Sequence, residues 1–311
     1  MSGVAYELDP TQPLDAELRR IAAGLTDHAI AQIDDDEVEV DEAVHEVRKD
    51  CKKVRGLLRL IRPAAPALYK RENAAFRDAA ASLSVLRDAE AAIETYDALV
   101  DQFRENIDAD ALAPLRQGLD DHKATLASGS KDLESQLERT RAALAAARER
   151  IPDWGLPGGG GDDASWSLIG PGLRKTYKRG SSALDGAYAE PGVNAFHEWR
   201  KRAKYLRYHL RLLRAAWPRP LKAMHREVKR LGDWLGDDHD LAVLEQVLRD
   251  AEGLDPGHDP EQILLALAAQ RSEQLRDDAY WLGKRLYAEK PKHLDRRMRR
   301  YWQAARGLAG P

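Results

Sequence analysis

HEVRKDCKKVRGLLRLIR, residues 45–62, and HEWRKRAKYLRYHLRLLR, residues 197–214, decide how the rest of the chain is read. On a wheel of 3.6 residues per turn, the first segment gathers His45, Arg48, Lys49, Lys52, Arg55 and Arg59 on one broad face. Val47, Val54, Leu57, Leu58 and Ile61 take the opposite side. The second segment repeats this: His197, Arg200, Lys201, Lys204, Arg207 and Arg211 lie together, with Trp199, Leu206, Leu210 and Leu213 opposite. Both read as amphipathic helices. At about 1.5 Å rise per residue, the stripe from His45 to Arg62 runs about 25 Å.

The charge is unbalanced along these stripes. Each segment holds seven Lys or Arg; Glu46 and Asp50 leave the first at net +5, and Glu198 leaves the second at net +6. The whole chain of 311 residues totals −3, so the other 275 carry −14. Like charges at i, i+3 and i+4 repel, by a few tenths of a kcal/mol per pair. An ordinary solvated face interleaves Glu with Lys or Arg, and these faces scarcely do. The pattern points to an anionic ligand, and to one with many charges, because a single phosphate uses only part of a stripe several turns long. A merely solvated face is the competing reading, and it has to produce the same imbalance twice.

The two segments belong to a longer repeat. Sliding the chain by 152 positions puts His45-Glu46 on His197-Glu198, Arg48-Lys49 on Arg200-Lys201, Lys52 on Lys204, Arg55 on Arg207 and Arg59 on Arg211. Without a gap, the same offset puts Pro66 on Pro218, Arg77 on Lys229, Leu83 on Leu235 and Asp88 on Asp240. A register held over forty residues reads as an internal duplication. Residues 1–151 form an N-terminal helical half, 152–172 a Gly/Pro-rich linker (PDWGLPGGGGDDASWSLIGPG), and 173–311 a C-terminal helical half. Further helix stops are expected at Pro63 and Pro66, at Trp217 to Pro220, and at Gly253–Pro260.

Composition agrees with an all-α fold, since Ala, Leu, Arg and Glu dominate. A near-neutral total argues against a wholly basic nucleic-acid coat. Cys51, the only cysteine, excludes an intrachain disulfide and a cysteine-built zinc site, and its place beside an apolar face predicts a buried thiol. The acidic N-terminal stretch MSGVAYELDPTQP lacks the apolar run of a secretory signal, and no segment approaches the roughly 20 apolar residues of a membrane span. A cytoplasmic protein with no membrane partner is expected.

The H-E-x-R-K-x-x-K-x-x-R pattern at His45–Arg55 and His197–Arg207 resembles the CHAD domain, an α-helical family named for its histidines. Leu83-Ser84-Val85-Leu86-Arg87-Asp88-Ala89-Glu90 is similar to that family's L-G-x-x-R-D-x-D segment, and Leu235 to Asp240 is its second copy. Tyr177-Lys178-Arg179-Gly180 looks like the motif opening the second half. Lys290-Pro291-Lys292 with Tyr301-Trp302 looks like the family's C-terminal end. The resemblance implies two pseudo-twofold-related four-helix bundles whose basic helices face a central groove or pore. It also implies non-catalytic binding of inorganic polyphosphate, often at polyphosphate granules. Ser84 replaces the usual glycine, Glu90 the usual aspartate, and Leu57 pairs with His209, so the halves are not equivalent. Some members carry a triphosphate-tunnel catalytic domain marked by an E-x-E-x-K strand; Tyr6-Glu7-Leu8-Asp9 is the nearest approach here, and that module is not expected.

Polyphosphate contacts are expected from Arg48, Lys49, Lys52, Arg55, Arg59, Arg200, Lys201, Lys204, Arg207 and Arg211. Arginine forks donate in parallel to phosphate oxygens, and lysine acts as a point charge. Lys53, Lys178, Arg179 and Lys229, with Tyr177, form a second rank. His45 and His197, read as beginning their helices, either donate to phosphate when protonated or cap and pack the helix start. Asp88 and Asp240 are expected to orient the cations. Trp199 is expected in the core, and Tyr205 and Tyr208 either touch phosphate or pack. No metal or cofactor is expected, and no catalysis. The competing readings are a metal-dependent phosphohydrolase using Asp237, Asp238 and Asp240, weakly favoured by the His239-Asp240 pair, and a helical scaffold for another polyanion. Nucleic acid is disfavoured because the acidic remainder of the chain repels a stiff duplex.

Overall fold

The computed structural model describes residues 5–81, 83, 85–128, 133–157, 162–250 and 259–307. Every regular element among them is helical: α1 (Leu14–Asp34), α2 (Val40–Ile61), α3 (Pro66–Ala81), α4 (Val85–Phe103), α5 (Ala109–Ser128), α6 (Leu133–Arg150), α7 (Asp162–Ala189), α8 (Val193–Leu212), a 3-10 turn at Arg214–Ala216, α9 (Pro218–Asp250), α10 (Asp259–Leu286) and α11 (Pro291–Gly307). The fold is all-α, as the sequence predicts. Proline marks where several helices begin: Pro66, Pro218 and Pro291 each take the first position, where a missing N–H costs nothing. Residues 251–258 lie outside the described residues, and with them most of the break expected at Gly253–Pro260.

The linker expected over 152–172 is shorter than its composition implies, because α7 begins at Asp162 and carries Pro171 inside it. Gly170 and Gly172 are not breakers here. They serve packing: a Cβ on Gly172 would stand 1.7 Å from the Leu60 carbonyl oxygen, and one on Gly170 would stand 2.2 Å from Trp166 Nε1. The glycine at 172 lets the backbones of α7 and α2 touch, so its cost in helix propensity is offset by close contact.

The helices enclose two cores. The larger takes the apolar faces of α2 (Val47, Cys51, Val54, Leu57, Leu58, Ile61) and α8 (Phe196, Trp199, Leu206, Leu210), together with α1, α3, α6, α7, α11 and the first part of α9. The smaller joins α4 and α5 (Tyr96, Leu99, Leu112, Leu119) to the later part of α9 (Leu241, Leu244, Leu248) and to α10 (Leu264, Leu275). Trp234 packs against both. Each half of the chain thus contributes to each core.

Neighbour relations follow the 152-residue register. In the first half α1 packs on α2, α2 on α3, α1 on α6 and α4 on α5; in the second α7 packs on α8, α8 on α9, α7 on α11 and α9 on α10. Three elements also meet their own counterparts, α2 with α8, α4 with α9 and α5 with α10. The two basic helices are therefore neighbours.

Candidate functional site

Gly56 and His209 set how closely α2 and α8 approach. A Cβ on Gly56 would lie 3.0 Å from both Tyr208 Cβ and Tyr6 Oη. The freed Gly56 carbonyl accepts a hydrogen bond from His209 Nε2 at 3.0 Å. His209 is wholly buried, and desolvation pushes its imidazole down to about 4, so it is neutral in the fold. Cys51, buried beside this seam, is pushed up to about 12, which makes it an inert thiol, as expected.

Across this seam the cationic faces meet. Lys204, half-buried, has its ammonium driven down to about 7, first by burial and then by Arg200, Lys52 and Arg207, with Asp240 opposing. Lys52 comes from α2 and the other three from α8, so the positive potential is shared between the helices. Arg200 Nη1 lies 3.7 Å from Asp240 Oδ1, a long pair, and its Nε is buried with no hydrogen-bond partner. Gly236, in van der Waals reach of the Arg200 guanidinium, leaves room for it. Arg207 lies over the Tyr208 ring at 5.5 Å, Arg55 donates to Asn73 Oδ1 at 3.3 Å, and Arg48 donates to the Ala80 carbonyl at 3.2 Å. Asp240 thus faces a cation of α8; Ser84 and the side chain of Asp88 lie outside the described residues.

Histidines lie beside the cationic surface. His197 Nδ1 is 3.2 Å from His239 Nδ1, with ring centroids 4.3 Å apart. Burial lowers both to about 4, reinforced for His197 by His239, Lys201 and Arg200, and for His239 by Arg200, Lys204 and Lys201. His225 is lowered to about 4 by burial and by Arg207, Arg211, Arg214 and Lys229. Burial first, and the surrounding cations second, keep these three imidazoles neutral beside the cationic faces.

The family profile of the CHAD domain matches residues 18–249, well over half of the chain. The chain belongs to the CHAD domain family. The crystal structure of the CHAD domain from the plant Ricinus communis is similar to this fold, with a TM-score of 0.63 and 22% sequence identity over 93% of this chain and 96% of that one. At that identity the likeness concerns the fold alone. No curated protein matches the chain.

Several CHAD motif residues stand elsewhere than the sequence implies. Tyr177 is fully buried and donates its hydroxyl to the Leu286 carbonyl at 2.9 Å, so it is a core residue and leaves the set of phosphate contacts. His45 and His197 do not begin their helices: α2 starts at Val40 and α8 at Val193, which removes the capping role. Lys53 is tied at 2.6 Å to Asp50, a buried carboxylate that His28 also meets at 2.6 Å, and this is a structural cluster. Arg211 lies 3.5 Å from Glu7, which Arg214 also holds. Lys49 pairs with Glu46 at 2.6 Å, Lys201 with Glu198, and Lys229 with Asp233 at 2.6 Å. Exposed pairs of this kind are worth about 0–1 kcal/mol, so these lysines can exchange partners for a stronger anion. Lys178 is exposed on α7, and the exposed Arg179 stands near Arg59, Arg62 and Arg202. Trp199 is in the core, as expected, and Tyr208 packs against Tyr6 with ring centroids 6.0 Å apart.

In the sequence His239 stood out only as part of a weak metal-type pair with Asp240, and His225, Arg62, Arg202 and Lys175 were not among the expected contacts. Arg62 and Lys175 had a usable signal: Arg62 matches Arg214 in the repeat, and Lys175 precedes Arg179 by one helical turn. The histidines had none, because only the packing of α9 on α8 brings them to the cations.

Proposed function

We propose that this CHAD domain binds inorganic polyphosphate without transforming it, along the cations that α2 and α8 present to one another. The carrying observation is that Lys52 from α2 and Arg200 and Arg207 from α8 crowd around Lys204, whose hold on its proton is weakened first by burial and then by these cations. A flexible polyanion answers that potential with one charge per unit. The arginines grip phosphate oxygens in pairs, the lysines act as point charges, and no base-like feature needs to be read. No helix among the described residues is long and apolar enough to cross a membrane, and a cytoplasmic place at polyphosphate granules fits this reading.

Asp238, which the hydrolase reading needs, is buried and accepts from Ser272 Oγ at 2.5 Å and Arg276 Nε at 2.8 Å. It is committed to holding α10 on α9, and this favours the binding reading.

Counterion release makes affinity fall with salt, with a log–log slope of about −0.7 per neutralised phosphate on a single-stranded polyanion. Six contacts give a slope on the order of −4. Replacing Arg48, Lys52, Arg200 and Lys204 by alanine should abolish binding while helicity stays intact. Unchanged affinity in that folded variant refutes the assignment, and orthophosphate release that disappears in Asp240→Asn supports the hydrolase instead.

A further inference from the structure

The 152-residue register sets two places in the molecule side by side. Arg59 and Arg62 at the end of α2 correspond to Arg211 and Arg214 at and just beyond the end of α8. The second pair already holds an anion, the side chain of Glu7. Arg214 donates to it from Nε at 3.0 Å and again from Nη2, Arg211 approaches it at 3.5 Å, and Arg20 donates to the Glu7 carbonyl at 3.0 Å. The segment bearing Glu7 is pinned on either side: Tyr6 donates to the Lys53 carbonyl at 2.8 Å, and the Leu8 amide donates to the Leu212 carbonyl at 2.8 Å.

Among the described residues the first pair has no such carboxylate. Arg59 and Arg62 line a pocket with Lys175 and Arg179 from α7 and Arg202 and Tyr205 from α8, and no acidic residue is among its walls. The close approach that Gly172 allows between α7 and α2 brings the three helices together here. Arg59 lies over the Tyr205 ring at 4.0 Å, and its Nε is buried with no hydrogen-bond partner. Arg202 has Glu198 at 2.7 Å on its own helix. Burial together with Arg202, Arg59 and Arg62 lowers Arg179 below the usual guanidinium range.

The register explains why the two places differ. Glu7 falls on Gly159, a position outside the described residues that carries no carboxylate in the sequence. Arg179 falls on Asp27 and Arg202 on Asp50, so two positions that are acidic in one half are arginine in the other. One place is neutralised from within the chain. The other is cationic at the same positions and closed on three sides by helices.

We propose that the pocket between the end of α2, α7 and α8 binds one terminal phosphoryl group, whether free as orthophosphate or pyrophosphate or borne at the end of a chain. Glu7 shows in the counterpart what the paired arginines accept, a compact oxyanion gripped through two donors of one guanidinium. A terminal phosphoryl group suits a five-cation pocket better than a carboxylate does, since it carries about −1.5 to −2 charge at pH 7 and offers three acceptor oxygens. It also suits the pocket better than a mid-chain unit, which bears about one charge. The pocket shares Arg59 with the α2 stripe but includes neither Lys52 nor Lys204, and it does not require those two lysines to hold polyphosphate.

The test is a calorimetric titration of the full chain with pyrophosphate. Saturable one-to-one binding is expected, unchanged in Lys52→Ala/Lys204→Ala and weakened by at least about tenfold per arginine in Arg179→Asp/Arg202→Asp, which rebuilds the acidic counterpart. Arg62→Ala serves as a milder variant should the double substitution unfold, and helicity is checked for each. Linear tripolyphosphate should compete with pyrophosphate, whereas trimetaphosphate, a ring without terminal groups, should not. Absence of saturable binding, loss only on replacing Lys52 and Lys204, or equal competition by trimetaphosphate overturns the proposal. Failure of long-chain polyphosphate to bind, with pyrophosphate still bound here, would count against the function proposed for α2 and α8 and leave this pocket standing.

Discussion

Lys204 concentrates the electrostatics of the α2–α8 seam in one titrating group. Its ammonium is held at about 7 against an ordinary 10.5. In the free protein the unfolded chain keeps this proton up to about 10.5 and the folded chain only to about 7, so stability contributed by this group rises with pH across that window. A bound polyanion offsets Arg200, Lys52 and Arg207 and restores the proton, so polyphosphate affinity should fall as pH climbs from 7 to 9. In Lys204→Arg, whose guanidinium stays charged, that fall should be smaller; equal pH dependence in the two proteins counts against the role of Lys204. His209 makes an independent case. Its folded value of about 4 lies below the ordinary 6.5, so the unfolded chain binds more protons between those values and stability is lost as pH falls through them. Between pH 7 and 5 the loss from this residue is about 2 kcal/mol. His209→Leu, which copies Leu57 of the other half, should show a correspondingly smaller difference in urea-unfolding free energy between those two pH values.

At the scale of elements, two glycines govern how α2 meets its neighbours, and they differ in what opposes a side chain. At Gly172 the obstacle is the Leu60 backbone, 1.7 Å from a built Cβ, and backbone cannot turn aside. At Gly56 the obstacles are Tyr208 Cβ and Cδ2 and Tyr6 Oη at 3.0 Å, a milder approach that a shift of a few tenths of an ångström would relieve. Gly172→Ala should therefore destabilise by about 2–4 kcal/mol, and Gly56→Ala by about 1 kcal/mol. Denaturant unfolding of both variants reads the contrast, and a Gly172→Ala protein as stable as wild type contradicts the close approach of α7 to α2. These contacts were not legible in the sequence. Gly170-Pro171-Gly172 carries the composition of a break, and only the arrival of Leu60 from another part of the chain turns it into packing. The stripes themselves were legible, because Lys52 and Lys204 follow from helical spacing and the repeat, with no knowledge of what they face. Tyr177 shows the opposite error: it sits in a basic motif, but the turn of α7 points it at Leu286 and not at the cations.

At the scale of the whole molecule, the repeat does more than double a basic stripe. It places α2 against its counterpart α8 and fills the smaller core with α4 and α5 from one half and α9 and α10 from the other. The 152-residue register revealed the pairing of elements. It could not reveal that the halves share their cores, since a repeat looks the same whether its copies pack apart or together. Nor could it show that Glu7 neutralises one arginine pair while the other stays open, which depends on where the first residues of the chain dock. In the proposed function the cations of α2 and α8 are answered by a guest. A cocrystal structure with a short polyphosphate tests this most directly. Phosphate density is expected between α2 and α8, within hydrogen-bond reach of Lys52, Arg200, Lys204 and Arg207. Phosphates found only on outer faces, with these four side chains untouched, would contradict it.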